Sequence, residues 1–298
     1  MMNQLAQAII LGGYYALIAC GLSFMLSVMR VINLAHGSLM VAGGYLLWYL
    51  GENYQISPFI GLLILVPVMG LCGWALQSFL LERSARGGDL LPILTTFGLA
   101  IVIDNVLFEQ FGADTRSLAP YIDDLAWDSF DLPGDIQVGK VGVIILVTAI
   151  VLLGGLQLFL SKTAMGKAIR ATAEDPDTAG IVGINARKAS AVAAAIAVGS
   201  AALASAALGM RATFDAYAGG AQLLFAFEAT IIGGAGSLWG TLIGGIVLAL
   251  AQTLGASLHP QGFLIGGHVA FVLVLFARFL LSPGDFSYRL RRTLGMAK

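Results

Sequence analysis

Glu228 stands in the apolar run LLFAFEATIIGG, and Asp104 stands beside Asn105 in LAIVIDNVLF. A carboxylate at membrane depth costs roughly 2.5 to 3.5 kcal/mol at a helix centre, so it marks either a polar pathway or a hydrogen bond between helices. Glu228 fits both roles. Asp104 falls toward the outer end of its run, which favours the hydrogen bond. His36, in NLAHGS, could line a pathway or be a satisfied interfacial histidine, while His259 and His268 are isolated, without partners at metal-ligand spacing.

Enzymatic chemistry has no comparable foothold. GDIQVGKV, residues 134–141, matches the G-x-x-x-x-G-K of a phosphate-binding loop, but Val141 replaces the hydroxyl residue that would hold magnesium. Six nearby acids would repel a nucleotide, and no strand is legible before the motif. Neither G-x-S-x-G nor H-E-x-x-H occurs, so no serine nucleophile or zinc hydrolase is signalled. The expectation is a chain with no catalytic residue, no metal site and no cofactor of its own.

The elements that must position these residues are membrane helices. Of 298 residues, 58% are hydrophobic and 11% charged, against roughly 25% charged in an ordinary soluble domain. Apolar runs near the roughly 20 residues that cross a hydrocarbon core lie at 5–29, 58–81, 91–107, 141–160, 189–210, 238–254 and 263–281. Shorter glycine-broken runs at 34–50 and 222–236 read as interrupted helices. The prediction is an all-α polytopic integral membrane protein, one domain over 1–298, with seven to nine spans including discontinuous ones. The first run has no preceding positive charge and is too long for a signal core, so it is expected to stay in the mature protein. Cys20 and Cys72 fall inside spans and read as packing residues.

Charge is sorted along the chain, and this predicts topology. Residues 110–139 hold six acids and one base, residues 161–188 hold five bases and three acids, and the segment from Arg278 holds five bases against Asp285. Because bases are retained on the cytoplasmic side, 161–188 and the C-terminus should be cytoplasmic and the acidic loop 110–139 periplasmic. The chain must then cross once between 210 and 238, which requires the short run there to be a broken crossing. The net charge of −1 provides no basic face for nucleic acid.

Glycines divide into two expected roles. Gly236, Gly240 and Gly244, four apart, form a ridge for close helix packing, whereas Gly233-Gly234 suits a turn at membrane depth, tolerated where protein or water covers it. With Asn33, His36, Gly37, Ser38 and Glu228, that pair makes the expected pathway set. The segment INLAHGSLMVAGG, 32–44, has a composition like that around the glycine ridge, suggesting a weak internal repeat.

IRATAEDPDTAGIVGIN, 169–185, reads as two short helices. Ala-rich TAMGKAIRATAE favours the first, with Lys167 and Arg170 on one face. Asp175 and Pro176 are a cap and first-turn pair for the second, Asp177 adds favourable charge, and Gly183 suits its end. Small residues Ala171, Ala173, Ala179 and Gly180 would make a compact knob for another protein to grip.

Three stretches together resemble a known family: GGYYALIACGLSFMLSVMRVINLAHGSLMVAGGY, then SKTAMGKAIRATAEDPDTAGIVGIN, then FEATIIGGAGSLWGTLIGG. In that order the chain is similar to LivH-type permease subunits of branched-chain amino acid ABC importers. The resemblance implies that Arg170, Ala173, Glu174, Asp175, Pro176, Ala179 and Gly183 belong to a coupling element docking on a cytoplasmic ATPase. It implies a LivM-like second permease subunit, two ATPase subunits that use ATP and Mg, and a periplasmic solute-binding protein, all at a bacterial inner membrane. Ser38 and Phe225 stand where relatives often carry Glu and Lys, which leaves the solute open among branched-chain amino acids, amides, urea and aromatic acids. An ion-coupled secondary transporter, working through Glu228 or Asp104, is the alternative.

Overall fold

The computed structural model describes residues 2–88, 90–133, 136–259 and 261–281. Its helices are α1 (Met2–Met29), α2 (His36–Tyr54), α3 (Pro58–Ala75), α4 (Glu82–Ala85), α5 (Leu90–Phe111), α6 (Lys140–Lys162), α7 (Ala164–Glu174), α8 (Pro176–Ile181), α9 (Ala186–Arg211), α10 (Gly219–Gly233), α11 (Leu238–Leu258) and α12 (Gly262–Leu281). A π-helical stretch, Leu76–Leu81, joins α3 and α4 into one long helix. A two-stranded hairpin, β1 (Ser129–Leu132) and β2 (Ile136–Gly139), lies in the acidic loop. Among the described residues, seven helices are long and apolar enough to cross a membrane.

Two of those seven form the core. α1 and α9 are mostly buried, while α3, α5, α6 and α12 expose most of their surface. Alanine explains α9: Ala193, Ala194 and Ala197 have no exposed surface, and small side chains let neighbouring backbones approach. A Cβ at Gly73 of α3 would sit 2.3 Å from the Ala194 carbonyl oxygen.

The acidic and basic segments lie at opposite ends of the bundle. Gln7 donates to the Gln137 carbonyl at 2.7 Å, placing the start of α1 at the acidic end. At the other end Arg187 pairs with Glu82 at 2.8 Å. α9 finishes at the acidic end, where Arg116 and Phe214 form a β-bridge. α11 begins beside Ser27, near the far end of α1, so residues 212–237 make the expected crossing with α10 as their only helix. α2 is the second broken crossing: residues 30–35 leave α1 non-helically and reach the interior before helix starts at His36. Among the described residues the chain thus passes nine times along the bundle, seven times on long apolar helices and twice on α2 and α10 with their non-helical entries.

Two four-helix units of opposite direction make up most of the bundle. The first is α1, α2, α3 and α5, the second α9, α10, α11 and α12. α1 packs on α10 and α11 as α9 packs on α2 and α3; α1 also packs on α9, and α2 on α10. This is the arrangement of an inverted repeat. The pairing expected from composition is not the one these contacts give. The counterpart of 32–44 is the start of α10, because both segments open a short helix after a non-helical entry, and the glycine ridge on α11 instead matches α3.

Candidate functional site

The entry to α2 is a folded turn inside the bundle. Asn33, wholly buried, accepts the Ala35 amide on its side-chain oxygen at 3.0 Å and the His36 amide on its carbonyl at 3.2 Å. The Leu34 amide donates to Thr96 Oγ1 at 3.1 Å. Residues 33–35 thus satisfy buried backbone groups that helix would otherwise satisfy. His36 reaches the Ile18 carbonyl through Nε2 at 3.0 Å, while its Nδ1 is buried without a partner among the described residues. Gly37 lies against the first residue of α10: a Cβ there would be 2.0 Å from the Gly219 carbonyl oxygen. Ser38 is buried and lies against Asp104 of α5. The two broken helices therefore begin against one another, and the expected pathway residues of α2 converge there.

Glu228 occupies the far part of α10 and is also buried. Its Oε1 lies 2.5 Å from Nδ1 of His268 on α12, and its Oε2 has no partner among the described residues. His268, read from sequence as isolated, is thus the partner of the most buried carboxylate. No spacing rule could have joined them, because the contact is made by two helices meeting in space. Polar pairs continue nearby: Tyr15 donates to Gln252 at 2.5 Å and Tyr14 to Gln222 at 2.7 Å, with the Arg211 guanidinium 4.9 Å from the Tyr14 ring centroid. Phe225 packs on the Tyr15 ring at 5.3 Å.

The glycines of the α10–α11 hairpin exchange two expected roles. Gly233 is the last residue of α10, and a Cβ there would lie 1.9 Å from the Gly240 carbonyl oxygen, so it is a packing residue. Gly236, expected in the packing ridge, lies in the turn with φ +94, a left-handed conformation that glycine adopts without steric cost. Gly234 turns as expected, with φ +102. Gly240 and Gly244 do pack, against Gly233 and Ala229. A spacing of four could not separate these cases, since Gly236 precedes the first residue of α11.

At the basic end α7 and α8 form the expected two-helix knob. Asp175 caps α8, accepting the Asp177 and Thr178 amides at 3.0 and 3.1 Å. The Thr178 hydroxyl and amide, then the Asp177 amide, hold the Asp175 carboxyl below the usual carboxylate range. Gly183, with φ +85, ends the helix, and the Ile184 amide closes back on the Ala179 carbonyl at 3.0 Å. Arg170, Glu174, Asp175, Pro176 and Gly183 are exposed, Ala173 is half-buried against the core, and Ala179 is buried. Ala179 therefore braces the knob from inside rather than adding to its outer face. Sequence reading missed the apolar tip, Ile181 at 86% and Val182 at 71% exposure. The signal was available, as two bulky apolar residues beside a helix-ending glycine in a polar segment.

At the acidic end, residues 136–139 form β2 and Lys140 pairs with Asp128 at 2.7 Å. Gly134 and Asp135 of the rejected phosphate-loop match lie outside the described residues. The basic residues after 281 do too. Tyr121 donates to Glu52 at the end of α2, and burial first, then that carboxylate, pushes its hydroxyl up to about 12.

A bundle of apolar helices, two of them broken against each other and a capped knob at one end, defines a multi-span transport permease. The chain belongs to the family described as branched-chain amino acid transport system / permease component, whose model matches residues 4–281. It is 27% identical over 276 residues to the high-affinity branched-chain amino acid transport system permease protein BraD of Pseudomonas aeruginosa, covering 88% of each chain. It is 28% identical to LivH of Salmonella typhimurium and 27% identical to LivH of Escherichia coli K12, each over 271 residues and 86% of both chains.

Proposed function

We propose that this chain is one half of the translocation pathway of an ATP-driven importer for branched-chain amino acids or related small solutes. Residues 161–188 are its cytoplasmic coupling segment, and the ATPase subunits that engage it use ATP and Mg. A LivM-like subunit completes the pathway, and a periplasmic solute-binding protein meets the acidic loop 110–139. The membrane is the bacterial inner membrane, with the C-terminus in the cytoplasm because the basic segments are retained there.

The observation that carries this reading is the knob. It exposes Ile181 and Val182 at the basic end of the bundle, outside the long apolar helices, where the chain's own core does not cover them. Exposed apolar groups on a rigid, capped support are what a docking anchor requires. The segment's small residues and charges then set its fit and orientation. ATP binding by the partners would move the knob and rock the two repeat units across the α2–α10 junction. The test is purification of the assembled complex with Ile181→Asp and Val182→Asp: the ATPases should be lost while the permease remains in the membrane. Retention of the ATPases would overturn the coupling assignment.

The Glu228–His268 pair favours a second reading, an ion-coupled secondary transporter, because buried ionisable pairs also serve as proton or sodium relays. In that case uptake would survive ATP depletion, collapse with an ionophore and be lost in Glu228→Gln. Retained, ATP-dependent uptake in Glu228→Gln excludes it.

A further inference from the structure

The exposed sides of the bundle are not equivalent. α3 shows Leu63, Ile64 and Leu71 outward and carries no Asp, Glu, Lys, Arg or His over its whole length. α6 shows Val147 and Val151, and Thr148 is its only side chain with a polar group from 141 to 156. The groove between them, about 400 Å³, is lined by apolar side chains except for Ser200. These sides suit hydrocarbon.

The side formed by α5, α10 and α12 does not. Tyr217, half exposed just before α10, meets the Phe108 ring of α5 in a tilted contact at 5.4 Å and donates to Asn105 at 3.5 Å. Farther along α10 comes Glu228, paired with His268 of α12. The His268 side chain is 43% exposed although it stands about 9 Å inside α12 at 1.5 Å per residue. A short imidazole ring cannot snorkel that distance as a long Lys or Arg chain can. Helix α12 is also the least buried of the seven spans, and among the described residues no element covers this streak. Facing lipid, it would leave polar groups unsatisfied in hydrocarbon.

We propose that the α5–α10–α12 side is where the second permease chain docks, so that Asn105, Tyr217 and His268 line a polar seam enclosed between the two chains. This rests on the reading of the chain as half of a pathway, and it places that pathway on one side of the bundle. The partner is a membrane-spanning chain whose facing helices supply hydrogen-bonding groups or leave a water-filled gap. Lipid covers the α3 and α6 sides.

The test uses the full complex, with Cys72→Ser as background and the photoreactive residue p-benzoylphenylalanine placed at Leu224 or Ile265, or at Leu63 or Val151 for comparison. Irradiation in membranes should yield adducts with the partner permease from 224 and 265 at least about tenfold over 63 and 151, as burial against protein rather than lipid demands. Where the bulky probe blocks assembly, loss of co-purifying partner from positions 224 and 265 alone carries the same meaning. Adducts or assembly loss confined to 63 and 151 would overturn the seam while leaving the importer reading intact. Absence of both a partner permease and ATPases from the unmodified complex would overturn both.

Discussion

Two pairs of helices stand apart from the seven long apolar ones, and they are built on opposite terms. α2 and α10 begin against each other in the interior, held where Gly37 meets Gly219 with no room for a side chain. α7 and α8 project from one end, held by side-chain caps on Thr163 and Asp175 and by the left-handed Gly183. The first pair depends on absence of atoms and the second on specific hydrogen bonds. Packed interiors resist added volume over their whole surface, whereas a capped helix loses only the local turn when its cap goes. The junction should therefore fail as a fold, and the knob should fail as a contact.

The largest expected effect follows at the junction. Gly37→Val or Gly219→Val would place a Cβ 2.0 or 2.7 Å from opposing backbone, which a flexible side chain cannot relieve. Overpacking of this kind costs about 3 kcal/mol, enough to remove most folded protein from a marginally stable chain. Size-exclusion of detergent-solubilised protein should show aggregate in place of the native peak. A native peak at wild-type yield would mean that the two broken helices do not abut.

At the knob the expected effect is smaller on folding and confined to transport. Ile181→Asp with Val182→Asp should leave the yield unchanged, because both residues are exposed, yet reduce uptake by more than about tenfold, the scale of losing a central interface anchor. Ala173→Glu sharpens the contrast. Its half-buried position against the core should give partial loss of both yield and uptake, whereas Gly183→Asp should alter uptake mainly through its left-handed backbone. If Ile181→Asp with Val182→Asp lowered yield as far as Gly37→Val, the distinction between the two helix pairs would collapse.

The same distinction explains what could be read from sequence. The knob was legible nearly whole, because caps, prolines and terminal glycines act on neighbours in the chain. Asp175, Pro176 and Gly183 each stand where local rules put them. The long spans were legible because apolar length is also local. The junction was legible only as unusual composition, since Gly37 is defined by Gly219 and Glu228 by His268, residues brought together by helix crossing. Gly233 and Gly236 were exchanged for the same reason: φ at one position and a carbonyl 1.9 Å away at the other are tertiary facts. Ala179 was placed outside because what buries it lies outside its own short helix.

The smallest effect tests the cap itself. Asp175→Ala removes the acceptor for the Asp177 and Thr178 amides and for the Thr178 hydroxyl. Because α8 is short and exposed, losing a cap should shift its local order roughly fivefold without unfolding the bundle, and uptake should fall by a comparable factor. Asp175→Asn, which keeps an acceptor oxygen, should recover most of it. The pH dependence has a fixed sign. The folded carboxyl sits below the ordinary Asp value, about 3.9, so its contribution is fully present above that pH and lost as pH falls through the lower folded value. Hydrogen exchange of the Asp177 and Thr178 amides should accordingly show unchanged protection from about pH 8 to about pH 5 once intrinsic rates are divided out, and Asp175→Ala should lower it throughout. A protection loss centred near pH 6 in the wild type would show that a histidine or a partner, and not the Asp175 cap, governs the order of the knob.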